Sequence, residues 1–124
     1  MPRTRSTVVV ASPAAAAETA VCTISQLVLP SNDPVDLEGM VDLTIGTAGV
    51  SVTLKIERGA AAGGTVVATG GPYTAVAGNR MNLSINGSDL QVPEISGIGY
   101  VLTVTVGSAS AVSTVNNTWL GALY

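Results

Sequence analysis

The sequence predicts an all-β protein: an antiparallel β-sandwich preceded by an extended N-terminal arm. Three observations predict it. Apolar residues recur with period two through most of the chain, the spacing of strands that bury one face. Gly, Pro and Asn-Gly clusters cut these runs into about seven or eight short segments. No segment carries a convincing helical period, because Ala14 to Ala17 follows Pro13 and is short for an isolated helix.

Residues 1–18 are the expected arm. Arg3 and Arg5, then Val8, Val9 and Val10, then Ala14 to Ala17 imitate a secretory signal, but Ser12-Pro13 cuts the apolar part short. Three consecutive β-branched residues favour an extended strand, and an added strand can satisfy a neighbour's unpaired edge. Pro2, Ser12 and Pro13 make the arm a poor continuation of a sandwich, since proline cannot donate to a ladder. The arm is therefore expected to lie on another chain, with Arg3 and Arg5 meeting acidic groups there.

Residues 19–124 are expected to form one β-sandwich domain. Thr19 to Leu29 supplies its first strand, closed by Pro30 to Pro34. From Val35 to Ile45 the odd positions Val35, Leu37, Val41, Leu43 and Ile45 are apolar, and Asp36, Glu38, Asp42 and Thr44 fall on the other face. After Gly46 to Gly49 the phase reverses, with Val50, Val52, Leu54 and Ile56 inward. These two runs are expected to form a hairpin. Gly59 to Gly64 is a loop, Thr65 to Thr69 a short strand, and Gly70-Gly-Pro72 its break. Met81, Leu83 and Ile85 alternate before a turn at Asn86-Gly87. Tyr100, Leu102, Val104 and Val106 form another strand, ended by Gly107-Ser108, and Ala109 to Trp119 the last. Such a series of short strands points to a β-sandwich of jelly-roll type. There is no repeat of fixed period, which excludes solenoids and propellers.

Composition argues against chemistry. The chain has 124 residues, no histidine, no phenylalanine, one cysteine and a net charge of −3. Acid–base, nucleophilic and metal catalysis need clustered ionisable groups whose affinities for protons can be tuned against each other. Here the acids and bases lie mostly singly, so no enzyme, no metal and no cofactor is expected. Cys22, inside an apolar run, is a small buried hydrophobe. Nucleic acid is excluded as a partner by the lack of a basic cluster. A membrane is excluded because no apolar stretch reaches about 18 residues. Asp33, Asp36, Glu38 and Asp42 form the one acidic cluster, and strand alternation sets most of it side by side on a solvated face rather than around an ion. Gly59 to Gly64 and Gly97-Ile-Gly99 lack the Lys-Ser or Lys-Thr and the helix of a phosphate loop.

The end of the chain is apolar where termini usually are not. Trp119, Leu120, Leu123 and Tyr124 either close the core of their own domain or anchor a partner. Arg3, Arg5, Val8, Val9, Val10, Trp119, Leu120, Leu123 and Tyr124 are the candidate partner-binding residues, and self-association is expected from the apolar tail.

The run Val50-Ser-Val-Thr-Leu-Lys-Ile-Glu-Arg-Gly59, with Gly64-Thr-Val-Val67 and Gly99-Tyr-Val-Leu-Thr-Val-Thr-Val106, resembles small structural proteins of tailed bacteriophages. These are jelly-roll capsid decoration (cement) proteins and related minor virion proteins. The resemblance covers about residues 20–115 and transfers no functional residue. It implies a structural protein on the outside of a capsid, bound to the major capsid protein or another shell protein, as a homotrimer. The rival from another class is a carbohydrate- or ligand-binding β-sandwich module of a secreted or fibre protein, with Trp119, Tyr73 and Tyr100 as platforms.

Overall fold

The computed structural model describes residues 3–8, 18–29, 31–46, 49–76, 80–90, 92, 96–107 and 113–124. They form β1 (Arg3–Val8), β2 (Glu18–Val28), β3 (Val35–Ile45), β4 (Ser51–Arg58), β5 (Thr65–Thr74), β6 (Arg80–Asp89), β7 (Ser96–Val106) and β8 (Ser113–Leu123). The strands make two four-stranded sheets, in the orders β1-β8-β3-β6 and β2-β7-β4-β5. Every pairing is antiparallel. Apart from β4 and β5, each strand is followed in the chain by one from the opposite sheet. Eight strands wound between two sheets in this way are a jelly roll, the double Greek key that covers one apolar face with another.

The expected inward set lies in the core. Leu37 is 2% exposed, and Val41, Leu43, Ile45, Val52, Leu54 and Ile56 are each 0% exposed. Cys22 is buried in the core, as expected. The hairpin is not formed. β3 pairs with β6 and β8, whereas β4 pairs with β5 and β7 in the other sheet. The reason lies in the two-layer geometry. A strand in either sheet turns its apolar side to the same interior, so opposite phase around a turn is equally compatible with a chain that crosses between sheets. Gly49, at φ 78°, donates its N–H to Ala75 O at 2.9 Å, and Ala75 N–H returns to Val50 O at 2.9 Å. The crossing is thus tied to the far end of β5.

Two expected breaks are also continuous strand. β5 runs through Gly70-Gly71-Pro72 with a register shift opposite Val52 and Leu54. It is an edge strand, where a missing N–H donor is tolerated. β6 runs through Asn86-Gly87. Gly87 serves close approach rather than a turn: a Cβ there would stand 2.7 Å from the Ala68 Cβ of β5 in the opposite sheet. The last strand spans Ser113–Leu123 rather than ending at Trp119.

Polar ties also cross the sandwich. Arg58 of β4 donates from Nε to Asp89 Oδ2 of β6 at 2.8 Å and from Nη2 to Oδ1 at 3.3 Å. Tyr100 of β7 donates its hydroxyl to Asp89 Oδ2 at 2.9 Å. Asp89 is 4% exposed and Tyr100 0%, so this network holds the sheets together at one end of the core. Burial, then the adjacent Asp89 carboxylate, pushes the Tyr100 phenol well above its usual range. On β8, the Thr118 hydroxyl donates to Val21 O of β2 at 3.2 Å.

Candidate interaction face on the first sheet

Six-residue β1 pairs with β8 along its whole length, from Arg3 opposite Leu123 to Val8 opposite Thr118. The expected arm and tail therefore meet, but each other and within one chain. Residues 3–8, expected to lie on another chain, are the edge strand of the first sheet. The physical reason is local. Pro2 and Pro13 flank the segment Arg-Thr-Arg-Ser-Thr-Val without interrupting it, so its N–H groups can complete the ladder on the free side of β8. Val9 and Val10 lie outside the described residues, as do 11–17.

The tail divides by the alternation of β8. Leu120 is 0% exposed and Ala122 1%, both in the core, and Tyr124 packs against it half-buried. Trp119 and Leu123 fall on the opposite, outward face, also half-buried. Of the three aromatic platforms considered, Tyr100 is ruled out by complete burial and Tyr73 is packed against the core. Trp119 remains.

The register assembles the outward face of this sheet row by row. Trp119 stands opposite Met40, which stands opposite Ser84. Gly121 is next to Glu38 and Asn86, Leu123 next to Asp36 and Ser88, and Asn117 next to Asp42 and Asn82. Partners across an antiparallel ladder share a face, so each row brings three strands' side chains together. Gly121 leaves a place for the indole: a Cβ there would lie 2.8 Å from Trp119 Cη2 and 3.1 Å from Cζ2. On this face are two hollows, one of about 370 Å³ between Asp36, Glu38, Ser88 and Leu123, and one of about 520 Å³ between Met40, Ser84, Asn117 and Trp119. Glu38 and Asn86 line both.

The acids of this face are engaged with neighbours. Ser88 Oγ donates to Asp36 Oδ1 at 2.6 Å. Arg80 pairs with Asp42 through both guanidinium arms, and Asn116 Nδ2 donates to Thr44 Oγ1 at 3.0 Å beside it. The Arg80 hydrogen bond holds the Asp42 carboxyl below its ordinary range against a smaller desolvation effect. Among the described residues, no three carboxylate or thiol side chains converge as metal ligands would.

Sequence reasoning put Trp119 among the contact residues but missed the grooved face around it. One available signal was Met40, an apolar residue out of phase on the polar side of β3. The other was Gly121, which leaves the indole its place on that face.

No protein-family model matches the chain, and no curated protein matches it. Solved structures do. The structure of infectious bursal disease virus, Gx strain, covers 98% of this chain and 32% of its own at 11% identity, with a TM-score of 0.61. The VP2 subviral particle of the same virus covers 99% of this chain and 30% of its own at 10% identity, with a TM-score of 0.60. The T=1 particle derived from that virus gives 98%, 32%, 13% and 0.57. The chain thus spans about a third of the length of these proteins and shares its fold with that part of them.

Proposed function

We propose that this chain is a structural virion protein that decorates and stabilises the outside of a bacteriophage capsid. The observation that supports the reading is the two-sheet sandwich, β1-β8-β3-β6 over β2-β7-β4-β5, which is similar over 99% of the chain to a virus-particle protein at a TM-score of 0.60. The bacteriophage, the cement role and the trimer come from the resemblance of its strand pattern. Its partners in this reading are the major capsid protein or another shell protein, and further copies of itself. Attachment runs along the β1–β8 side of the first sheet, where Arg3, Arg5, Val8 and Leu123 lie on adjoining strands and Tyr124 follows directly after β8. An edge strand carries unpaired backbone donors and acceptors that a neighbouring chain can complete. The protein is non-catalytic in this reading.

The test adds the purified chain to particles assembled without it, followed by sedimentation and cryo-electron microscopy. Symmetric extra density on the shell, with co-sedimentation lost on deleting residues 2–8, supports the reading. A chain that stays monomeric and leaves the particles undecorated overturns it.

A further inference from the structure

We infer that Glu18, Glu57 and Thr103 form a binding site for a hard divalent cation, calcium or magnesium, on the outward face of the second sheet. The β1 edge belongs to the first sheet, so this site is additional to shell attachment and independent of it.

The register builds the site around a central strand. β7 lies between β2 and β4, and Thr103 on β7 stands opposite Ala20 on one side and Lys55 on the other. Leu102 and Val104 enter the core, so Thr103 faces outward with Val101 and Thr105. Glu18 stands opposite Thr105 and Glu57 opposite Val101, one to each side of Thr103 along β7. The two carboxyls meet beside Thr103, within hydrogen-bond reach of each other. Ala20 is small and exposed, which keeps the place next to them clear. The loop after β4 closes the Glu57 side, where Gly63 N–H donates to Glu57 Oε1 at 3.3 Å.

An acidic pair alone would need no more than a shared proton, but the neighbouring hydroxyl asks for more. Thr103 is 0% exposed and Glu57 2%, deep burial for an outward face. Thr103 Oγ1 is turned to the Glu18 carboxyl yet completes no hydrogen bond, and the buried Glu18 Oε1 has no donor. Buried polar atoms left in this way call for a partner. A proton between the carboxyls would serve Glu18 Oε1 and leave Thr103 as it is. A cation at their junction would engage all three side chains together.

Charge and donor type agree. Among the described residues here, two carboxylates face one ammonium, Lys55 Nζ, 4.0 Å from Glu18 Oε2. Burial first, and then Glu18, make Glu57 hold its proton more tightly than an ordinary carboxyl does. A divalent ion balances both carboxylates, and Lys55, one-third exposed on a long stem, can turn to water. The three side chains offer oxygen alone, which suits calcium or magnesium rather than zinc or copper. Waters would complete the coordination, so the affinity is modest. The sequence reading, which expected no metal, met Glu18 and Glu57 as single acids because they lie far apart in the chain.

Isothermal titration calorimetry of the full chain with calcium chloride, and separately with magnesium chloride, tests the site and ranks the two ions. At least one should bind at a single site with a Kd of about 0.1 to 1 mM. At about ten times Kd, that ion should raise Tm by about 6 °C over the same protein in EDTA. Glu18→Gln and Glu57→Gln should abolish both responses. Thr103→Val, which keeps the shape of the side chain, should weaken binding about fivefold. Lys55→Met separates a cation site from a structural ion pair, because removing the competing ammonium should tighten binding about fivefold. Far-ultraviolet circular dichroism checks that each variant is folded. No response to either ion up to about 10 mM, or a response to zinc alone, overturns the inference. So does unchanged binding in Glu18→Gln or Glu57→Gln, or binding no tighter in Lys55→Met.

Discussion

Replacing Arg58 with Met tests whether the tie across the sheets is structural. Arg58 is one-fifth exposed at its side chain, but its partner Asp89 is 4% exposed and accepts from Arg58 and from the buried Tyr100 hydroxyl. Methionine keeps much of the apolar stem and removes the charge and both guanidinium bonds. The cost arises mainly at Asp89, whose carboxylate is then left buried with fewer donors. Breaking a buried pair by removing one partner costs about 3 to 5 kcal/mol. At about 2.1 cal/mol/K per residue, a domain of this length loses about 4 °C of Tm per kcal/mol, so the fall should be about 12 to 20 °C. Differential scanning calorimetry and urea unfolding at neutral pH measure it. Arg58→Lys, which keeps the charge but not the planar fork, should recover part of the loss. The triple change Arg58→Met, Asp89→Leu, Tyr100→Phe should recover most of it, since no buried polar group is then left unpaired. A fall below about 1 kcal/mol for Arg58→Met would refute the reasoning and reduce the pair to a surface contact.

Leu54→Ala should destabilise by about 2 to 5 kcal/mol in urea unfolding, because Leu54 is 0% exposed between the sheets. Gly87→Val should cost about 1 to 3 kcal/mol, since its Cβ meets Ala68 at 2.7 Å and the sheets must part to admit it; a neutral result would mean that β5 and β6 are not so closely apposed. The third concerns Glu18 and Glu57, beside each other on the outer side of the second sheet with Lys55 Nζ 4.0 Å from Glu18 Oε2. Burial, reinforced by Glu18, raises the Glu57 carboxyl above its ordinary range, while hydrogen bonding to Glu57 lowers Glu18. The folded state thus favours a proton on Glu57, and stability should fall as pH rises from the unfolded carboxylate range through the raised Glu57 value. Glu18 contributes the opposite limb, with stability lost as pH falls through its lowered value. Glu57→Gln supplies a permanent amide donor in place of that proton, so urea midpoints followed from about pH 4 to about pH 9 should lose their alkaline decline. An unchanged profile would show that the two carboxyls are not coupled.

The strand alternation was legible residue by residue. In β3 the buried and outward positions follow the apolar pattern from Val35 to Ile45, and Leu54 and Ile56 in β4 are as deep as their phase implies. Pairing was not legible. Nothing in Val35 to Arg58 says that the turn at Gly46 to Gly49 leaves the sheet, because the partners of β3 are β6 and β8, remote in sequence. Glycine was misread for a related reason. Asn86-Gly87 has turn chemistry, and the requirement that decides it comes from Ala68 in the opposite sheet.

The candidate face was legible only in its parts. Asp36, Glu38 and Asp42 were assigned correctly to one outward side of a strand, but their place beside Trp119 was not read. Period-two alternation determined by itself that this chain is all-β, which side chains enter the core, and that ionisable groups remain mostly outside it. Those are local consequences of a pleat that turns alternate residues to opposite faces. Which strands are neighbours, that residues 3–8 complete the sheet beside β8, and that Trp119 shares a groove with Glu38 and Asn86 were decided only by the tertiary structure. Each depends on contacts between segments far apart in the chain, whose selection rests on the packing of one whole sheet against the other.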